Sequence, residues 1–268
     1  MPFPHKTVLI TGATAGIGRA LAERMIEKGI FVIAVGRRKE RLDELIAKHG
    51  SAKVVAEVFD VSDLDAIPSW ANMITATYPA LSCVILNAGI QRTIDFTNPV
   101  SVCPPTFDSE MTINYLSPLH AVVAFLPHLM SIAPKPAAVM FVSSALALVP
   151  IARCANYCAS KAAVHSLAWT LRSQLSDPSK SATQHVRVIE VMPPAVQTEL
   201  HEQQPELVAI GQARIGMPLT DFLEETWAAL EAGDQDEIIV GSARERWTDL
   251  EDGRKKGFKE MEALFRRT

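Results

Sequence analysis

A chain of 268 residues, 48% hydrophobic and 21% charged, can bury a substantial core, which excludes an intrinsically disordered protein. With 26 basic against 30 acidic residues and a net charge of −4, it has no positive excess to draw nucleic acid or an anionic membrane surface. No apolar run reaches the length of a membrane span, and residues 1–6 lead into a strand pattern without a signal-peptide core, so a cytoplasmic protein is expected.

Residues 7–10 form a β-branched, apolar run that ends in Thr11-Gly12-Ala13-Thr14-Ala15-Gly16-Ile17-Gly18, and residues 19–28 show helical spacing. Strand, glycine turn and helix make a phosphate-binding unit. The glycines allow a tight turn and close backbone approach, and the helix N-terminus supplies free N–H groups. A purely structural strand-to-helix turn is the alternative, and the strand before it and the helix after it weigh against that.

A second strand at 31–35 ends at Gly36-Arg37-Arg38, a helix follows at 39–49, and a third strand at 53–58 leads to Asp60-Val61-Ser62-Asp63, which can cap a helix running to about residue 78. Residues 82–86 make a fourth strand, closed by Asn87-Ala88-Gly89, and a Pro/Thr-rich loop at 91–106 precedes one long helix at 107–130 that contains Asn114. The fifth strand, 137–142, carries Ser143 and Ser144 at its C-terminal end, where open α/β sheets bind ligands. A long helix starts at Asn156, a sixth strand spans 186–191 and ends in Met192-Pro193-Pro194, and polar residues 199–217 fit a mobile lid. Residues 218–232 read as helix and 237–240 as a seventh strand. This alternation implies parallel strands joined by right-handed crossovers.

Tyr157 and Lys161 stand four apart at the start of the long helix and share a face, so the ammonium can sit beneath the phenol and lower its pKa toward that of a general acid/base. Alone, such a pair is more often a chance feature of a helix surface. Cys154 and Cys158 also share a face, but no further Cys/His pair stands at ligand spacing. With Cys83 and Cys103 they read as free thiols, and no metal is expected. His165 is read as packing or facing solvent, and His201, on the lid, as at most lining the site. Trp247, Leu250, Met261, Leu264 and Phe265 recur at helical spacing and read as packing on the body or a neighbouring subunit.

Four motifs thus fall at strand C-termini or on the adjacent helix. In this order and spacing, with Ser144 thirteen positions before Tyr157 and Lys161 four after, the chain resembles the short-chain dehydrogenase/reductase family over residues 6–241. The resemblance implies a single Rossmann-type domain over 1–241, a doubly wound parallel seven-stranded sheet flanked by helices, followed by a tail at 242–268. It implies that Ser144 binds the substrate oxygen, Tyr157 exchanges its proton, Lys161 holds the nicotinamide ribose, and Asn114 keeps a water in the relay. Ser143 is the neighbouring alternative to Ser144. It further implies cofactor contacts from Gly12, Thr14, Ala15, Gly16, Ile17 and Gly18, from Arg37, Asp60 and Val61, from Asn87, Ala88 and Gly89, and from Pro193, Val196 and Thr198. The substrate would be a small carbonyl or alcohol and the assembly a homodimer or homotetramer.

Pro194 replaces the glycine most of the family has, which puts the local loop geometry in question. The chain also resembles a branch found beside genes for D-alanylation of teichoic acid, a likeness that identifies no substrate. The second strand ends at Gly36 with no acid to meet an adenosine ribose, and Arg37 and Arg38 follow, so NADP(H) is expected over NAD(H). Two alternatives stand beside it: a nucleotide-binding regulator with this fold but no turnover, against which the intact Asn114, Ser144, Tyr157 and Lys161 argue, and a nucleotide-sugar epimerase or dehydratase, which also uses Tyr-x-x-x-Lys. The latter usually carries a larger C-terminal domain than the residues after Pro193 provide.

Overall fold

Near-continuous apolar runs form the strands β1 (Thr7–Thr11), β2 (Phe31–Gly36), β3 (Val54–Val58), β4 (Cys83–Leu86), β5 (Ala137–Val142), β6 (Val186–Met192) and β7 (Glu237–Ile239). They make one seven-stranded sheet in the order β3-β2-β1-β4-β5-β6-β7, with every neighbouring pair parallel. Strands of this kind are buried on both faces, and successive side chains serve opposite ones. Val8, Ile10, Val32 and Ala34 enter one core, while Leu9, Ile33 and Val35 enter the other.

The first core is covered by α1 (Gly16–Glu27), α2 (Lys39–His49) and α9 (Leu219–Ala232), through Leu21, Met25, Leu42, Phe222 and Trp227. The second is covered by α3 (Ile67–Thr77), α5 (Ser117–Ser131) and α6 (Ala155–Leu175), through Trp70, Ile74, Phe125, Val164 and Leu171. The result is the doubly wound, Rossmann-type architecture expected from the strand-helix alternation. This computed structural model describes residues 3–265. Residues 1–2 and 266–268, the outer ends of the expected segments 1–241 and 242–268, lie outside it.

Two expectations need correction. The single helix expected at 107–130 is α4 (Pro104–Met111), a π-helical turn (Thr112–Leu116) and then α5. The turn falls where Pro118 has no N–H to give to the carbonyl of Asn114 four residues back. The expected lid loop contains two short helices, α7 (Glu199–Glu202) and α8 (Pro205–Ala209), too short to leave a periodic signature. Its ends are pinned together where the Met217 N–H donates to the Ala195 carbonyl at 2.9 Å and the Gln197 N–H to the Met217 carbonyl at 3.0 Å.

The tail is one helix, α10 (Ser242–Phe265). Of the residues expected to pack on the body or a neighbouring subunit, Trp247 is half-buried and Leu250, Met261, Leu264 and Phe265 are exposed on this chain. The helix docks on the body through Glu251, which is fully buried, through Phe258 against the Trp169 ring, and through Lys255 on Glu237 at 2.6 Å. Among the described residues no helix is long and apolar enough to cross a membrane.

Candidate active site

The strand C-termini, the glycine turn and the start of α6 enclose one cavity of about 630 Å³. At one end the turn between β1 and α1 packs directly on the segment after β4. Gly12 has φ +70°, and a Cβ there would lie 2.9 Å from the Cα of Ala88, while one at Gly18 would lie 2.4 Å from the Gly12 carbonyl oxygen. Only glycine allows both the turn and the contact. Thr11 Oγ1 fixes the other side of that contact, accepting from the N–H groups of Asn87 at 3.0 Å and Ala88 at 3.1 Å. No side chain caps the N-terminus of α1 and no acid lies in its first turn, so its N–H groups remain available to an anion.

At the chemical end, Ser143 and Ser144 separate as successive residues should. Both border the cavity, but Ser143 Oγ is spent on Glu190 Oε1, to which it donates at 2.5 Å, while Ser144 Oγ accepts from the Leu146 N–H at 3.1 Å and keeps its own hydroxyl proton to give. Tyr157 and Lys161 line it too, with Lys161 Nζ 5.6 Å from the Tyr157 ring centroid and donating to the Val142 carbonyl at 2.8 Å.

Burial acts on both groups. It pushes the Tyr157 phenol above its ordinary range, against an opposing hydrogen bond from Ser144, so the lowering expected from Lys161 does not prevail. It brings the Lys161 ammonium down to about 8, although the carboxylates of Glu190 and Glu110 favour its charged form.

Asn114 does not line the cavity. From the π turn its Oδ1 accepts from Ile90 N–H at 2.9 Å and its Nδ2 donates to the Ile90 carbonyl at 2.9 Å and to Ser160 Oγ at 3.0 Å, tying the segment after β4 to α6. Gly18 likewise supports the cavity from outside. The other residues singled out from the sequence, Gly12, Thr14, Ala15, Gly16, Ile17, Arg37, Asp60, Val61, Asn87, Ala88, Gly89, Pro193, Val196 and Thr198, all line it. Pro194 lines it as well, and the Pro193 carbonyl accepts from Ala145 N–H at 2.8 Å, so the doubled proline leaves the link to the Ser144 segment in place.

Sequence reasoning named Arg37 and Arg38 but missed Arg41 and Glu199 beside them, and it missed a second group altogether. Arg38 donates to Thr14 Oγ1 at 2.7 Å and to Glu199 Oε2 at 2.9 Å, and Arg41 joins it on Glu199. Arg37 pairs more loosely with Asp60 at 3.6 Å. Behind the catalytic end runs a buried ionic string. His165 Nδ1 bonds Glu190 Oε2 at 2.9 Å, and its Nε2 stands 2.9 Å from Glu251 Oε1 on α10, an ion-pair contact without hydrogen-bond alignment. The spacing of Lys161 and His165 hinted at a shared face, but Glu190 lies within an apolar strand and Glu251 within a charged tail, where nothing marks them as partners.

A long cavity with a glycine turn and a bare helix N-terminus at one end, and a serine, tyrosine and lysine at the other, defines a dinucleotide-dependent enzyme of the doubly wound class. The short chain dehydrogenase family profile matches residues 6–208. "Uncharacterized oxidoreductase DltE" of Bacillus subtilis (strain 168) is 41% identical over 206 residues, 76% of each chain. A short chain dehydrogenase from Burkholderia cenocepacia J2315, solved in complex with NADP, superposes with TM-score 0.75 and 27% identity over 97% of this chain and 98% of that one. One from Burkholderia phymatum, in complex with NAD, shares the fold at TM-score 0.78 and 22% identity over 91% and 92%. The chain belongs to the short-chain dehydrogenase family, oxidoreductases acting on CH–OH or C=O with NAD(P), and its likeness to DltE places it in the branch around that protein.

Proposed function

We propose that the protein is an NADP(H)-dependent oxidoreductase that interconverts a carbonyl and an alcohol, with Tyr157 as general acid/base. The observation that carries this reading is the single cavity that joins the glycine turn to Ser144, Tyr157 and Lys161. The cradle fits a nicotinamide dinucleotide. Gly12, Thr14, Ala15, Gly16 and Ile17 with the α1 N-terminus would hold its pyrophosphate, Asn87, Ala88 and Gly89 with Lys161 its nicotinamide ribose, and Pro193, Val196 and Thr198 its amide. When bound, the dinucleotide supplies or accepts the hydride.

The chain's own residues do the rest. Ser144 donates a hydrogen bond to the substrate oxygen as charge develops there. Tyr157, held protonated by burial, gives that oxygen its proton in the reducing direction. Lys161 sits under the phenol to restore the proton, and Asn114 fixes the π turn through which a water would connect Lys161 to solvent.

Preference for NADP(H) is supported by the end of β2. A Cβ at Gly36 would lie 2.5 Å from Thr14 Cγ2, so the acid that binds an unphosphorylated ribose would have to displace the Thr14 side chain, which Arg38 holds through Oγ1. Arg37, Arg38 and Arg41 bring three guanidinium groups against the two carboxylates of Asp60 and Glu199. Tyr157→Phe keeps the ring and removes the proton. NADPH should still bind, read by fluorescence titration, while turnover of any responsive carbonyl falls by at least ~10²-fold. An unchanged rate would sink the mechanism.

A further inference from the structure

The two ends of the cavity balance their charges differently. Where the adenosine would lie, the carboxylates of Glu199 and Asp60 face Arg38, Arg41 and Arg37. At the end nearer Tyr157 the lining includes no acid, yet it includes Arg153, four residues before Tyr157 in the turn leading into α6. Its Nη1 donates to the neutral side-chain oxygen of Gln212 at 3.0 Å, its Nε is sealed from solvent without a hydrogen bond, and among the described residues no carboxylate pairs with it. The Cys154 thiol beside it supplies no counter-charge, because burial pushes that thiol up against the pull of the guanidinium.

His201, from the lid helix α7, lines the same end. It is 6% exposed and its Nδ1 is buried without a partner. Burial, and then the charge on Arg153, hold its imidazole below the usual range and therefore neutral. A guanidinium and an imidazole nitrogen, both lacking a counter-charge, share the lining with Leu146, Ile151, Leu200 and Ile215 and with the neutral amides of Gln91 and Gln203. Buried polar atoms left unpaired cost free energy, and a ligand that pairs them recovers it.

We infer that Arg153 and His201 form the anion-binding end of the substrate pocket, and that the substrate is an oxo or hydroxy acid with an apolar body whose carboxylate they hold. The inference rests on the oxidoreductase reading of the cavity and adds to it the substrate class. One guanidinium beside a neutral imidazole balances a monoanion, which favours a carboxylate over a dianionic phosphate. The lid is anchored to deliver His201. Gln204 Nε2 donates to Gln91 Oε1 at 2.8 Å, and Thr93 Oγ1 donates to Gln204 Oε1 at 3.2 Å, joining the lid to the segment after β4.

The test is calorimetric titration of the protein, in saturating NADP⁺, with 3-oxohexanoate, its methyl ester and dihydroxyacetone phosphate, together with turnover of each using NADPH. The acid should bind at least about tenfold tighter than the ester, the scale of one charge-assisted hydrogen bond. Arg153→Gln should abolish that difference chiefly through KM, Arg153→Lys should restore part of it, and NADPH titration of both variants confirms that they fold.

Equal binding of acid and ester, or a preference that survives Arg153→Gln, overturns the pocket assignment. Tighter binding of the phosphate overturns the carboxylate. If the binding difference holds while no carbonyl or alcohol is turned over, the oxidoreductase reading fails and the anion site stands. Turnover without the acid preference fails the anion site alone.

Discussion

Tyr157 and Lys161 are buried side by side, and burial moves them in opposite directions, the phenol up and the ammonium down to about 8. The phenol therefore keeps its proton until the substrate oxygen takes it, and the ammonium, at about 8, is a readier donor to restore it to the phenolate. The carboxylates of Glu190 and Glu110 keep that lowering from going further on Lys161. The residues that choose the cofactor are set the same way, by what lies opposite them. Glu199 occupies Arg38 and Arg41 together, and Arg37 has only a 3.6 Å contact with a half-buried Asp60. Arg37 is therefore the guanidinium freest to turn to a 2′-phosphate, and Arg37→Ala should weaken NADPH binding far more than NADH binding. Glu199→Gln should act in the opposite sense, freeing two further guanidinium groups and raising the NADPH over NADH ratio by roughly tenfold, one charge-assisted contact. Fluorescence titration of both reduced cofactors reads the two variants, and tighter NADH binding by the unmutated protein would overturn the preference.

At the scale of elements, α10 is clasped to the sheet by charge as well as by rings. His165 stands fully buried between Glu190 on β6 and Glu251 on α10, and Ser143 on the far side of Glu190 is the chain neighbour of Ser144. Burial alone would lower the imidazole, but the two carboxylates outweigh it and raise His165 from its ordinary 6.5 to about 9. A folded value above the unfolded one means the charged clasp stabilises fully below about pH 6.5 and is lost as pH rises through about 9. His165→Gln should cost about 3 kcal/mol at pH 7, the scale of breaking a buried ion pair, and should flatten the loss of stability between pH 7 and 10. Urea unfolding of both proteins across that range measures it, and parallel curves would refute the clasp. This element also shows where the sequence stops being legible. Strands and long helices declare themselves through apolar runs and period, and strand ends place Gly12, Asn87, Ser144 and Tyr157 near one another before any coordinates are known. The packing of α10 was unreadable because the residue that docks, Glu251, looks like any surface acid of a charged helix. The helices of the lid were unreadable because they span four and five residues, and the π turn because a proline at the start of a helical turn ordinarily marks a helix beginning.

For the whole molecule, the sheet is covered on both faces, but its helical layer is not apolar on the inside alone. Val123 on α5 is 68% exposed, Leu119 and Leu126, one turn to either side, are only half-buried, and so are Ala163 and Leu167 on α6, which covers the same face of the sheet. Residues spaced by three and four share one helix face, so Leu119, Val123 and Leu126 form an outward apolar strip on α5, and Ala163 and Leu167 another on α6. A two-fold axis through such a strip buries each copy against itself, the usual geometry of a closed homodimer, and a second surface extends it to a tetramer. The stripe of Leu250, Met261 and Leu264 on α10 offers that second surface, at 44%, 53% and 60% exposure. Light scattering at micromolar concentration should give twice or four times the 29.2 kDa chain mass. Val123→Glu, which places a charge at the centre of the α5 strip without touching the core, should lower the mass toward the single chain with an unchanged circular dichroism spectrum. A monomeric mass for the unmutated protein, or an assembly indifferent to Val123→Glu, would remove the α5–α6 face as the interface.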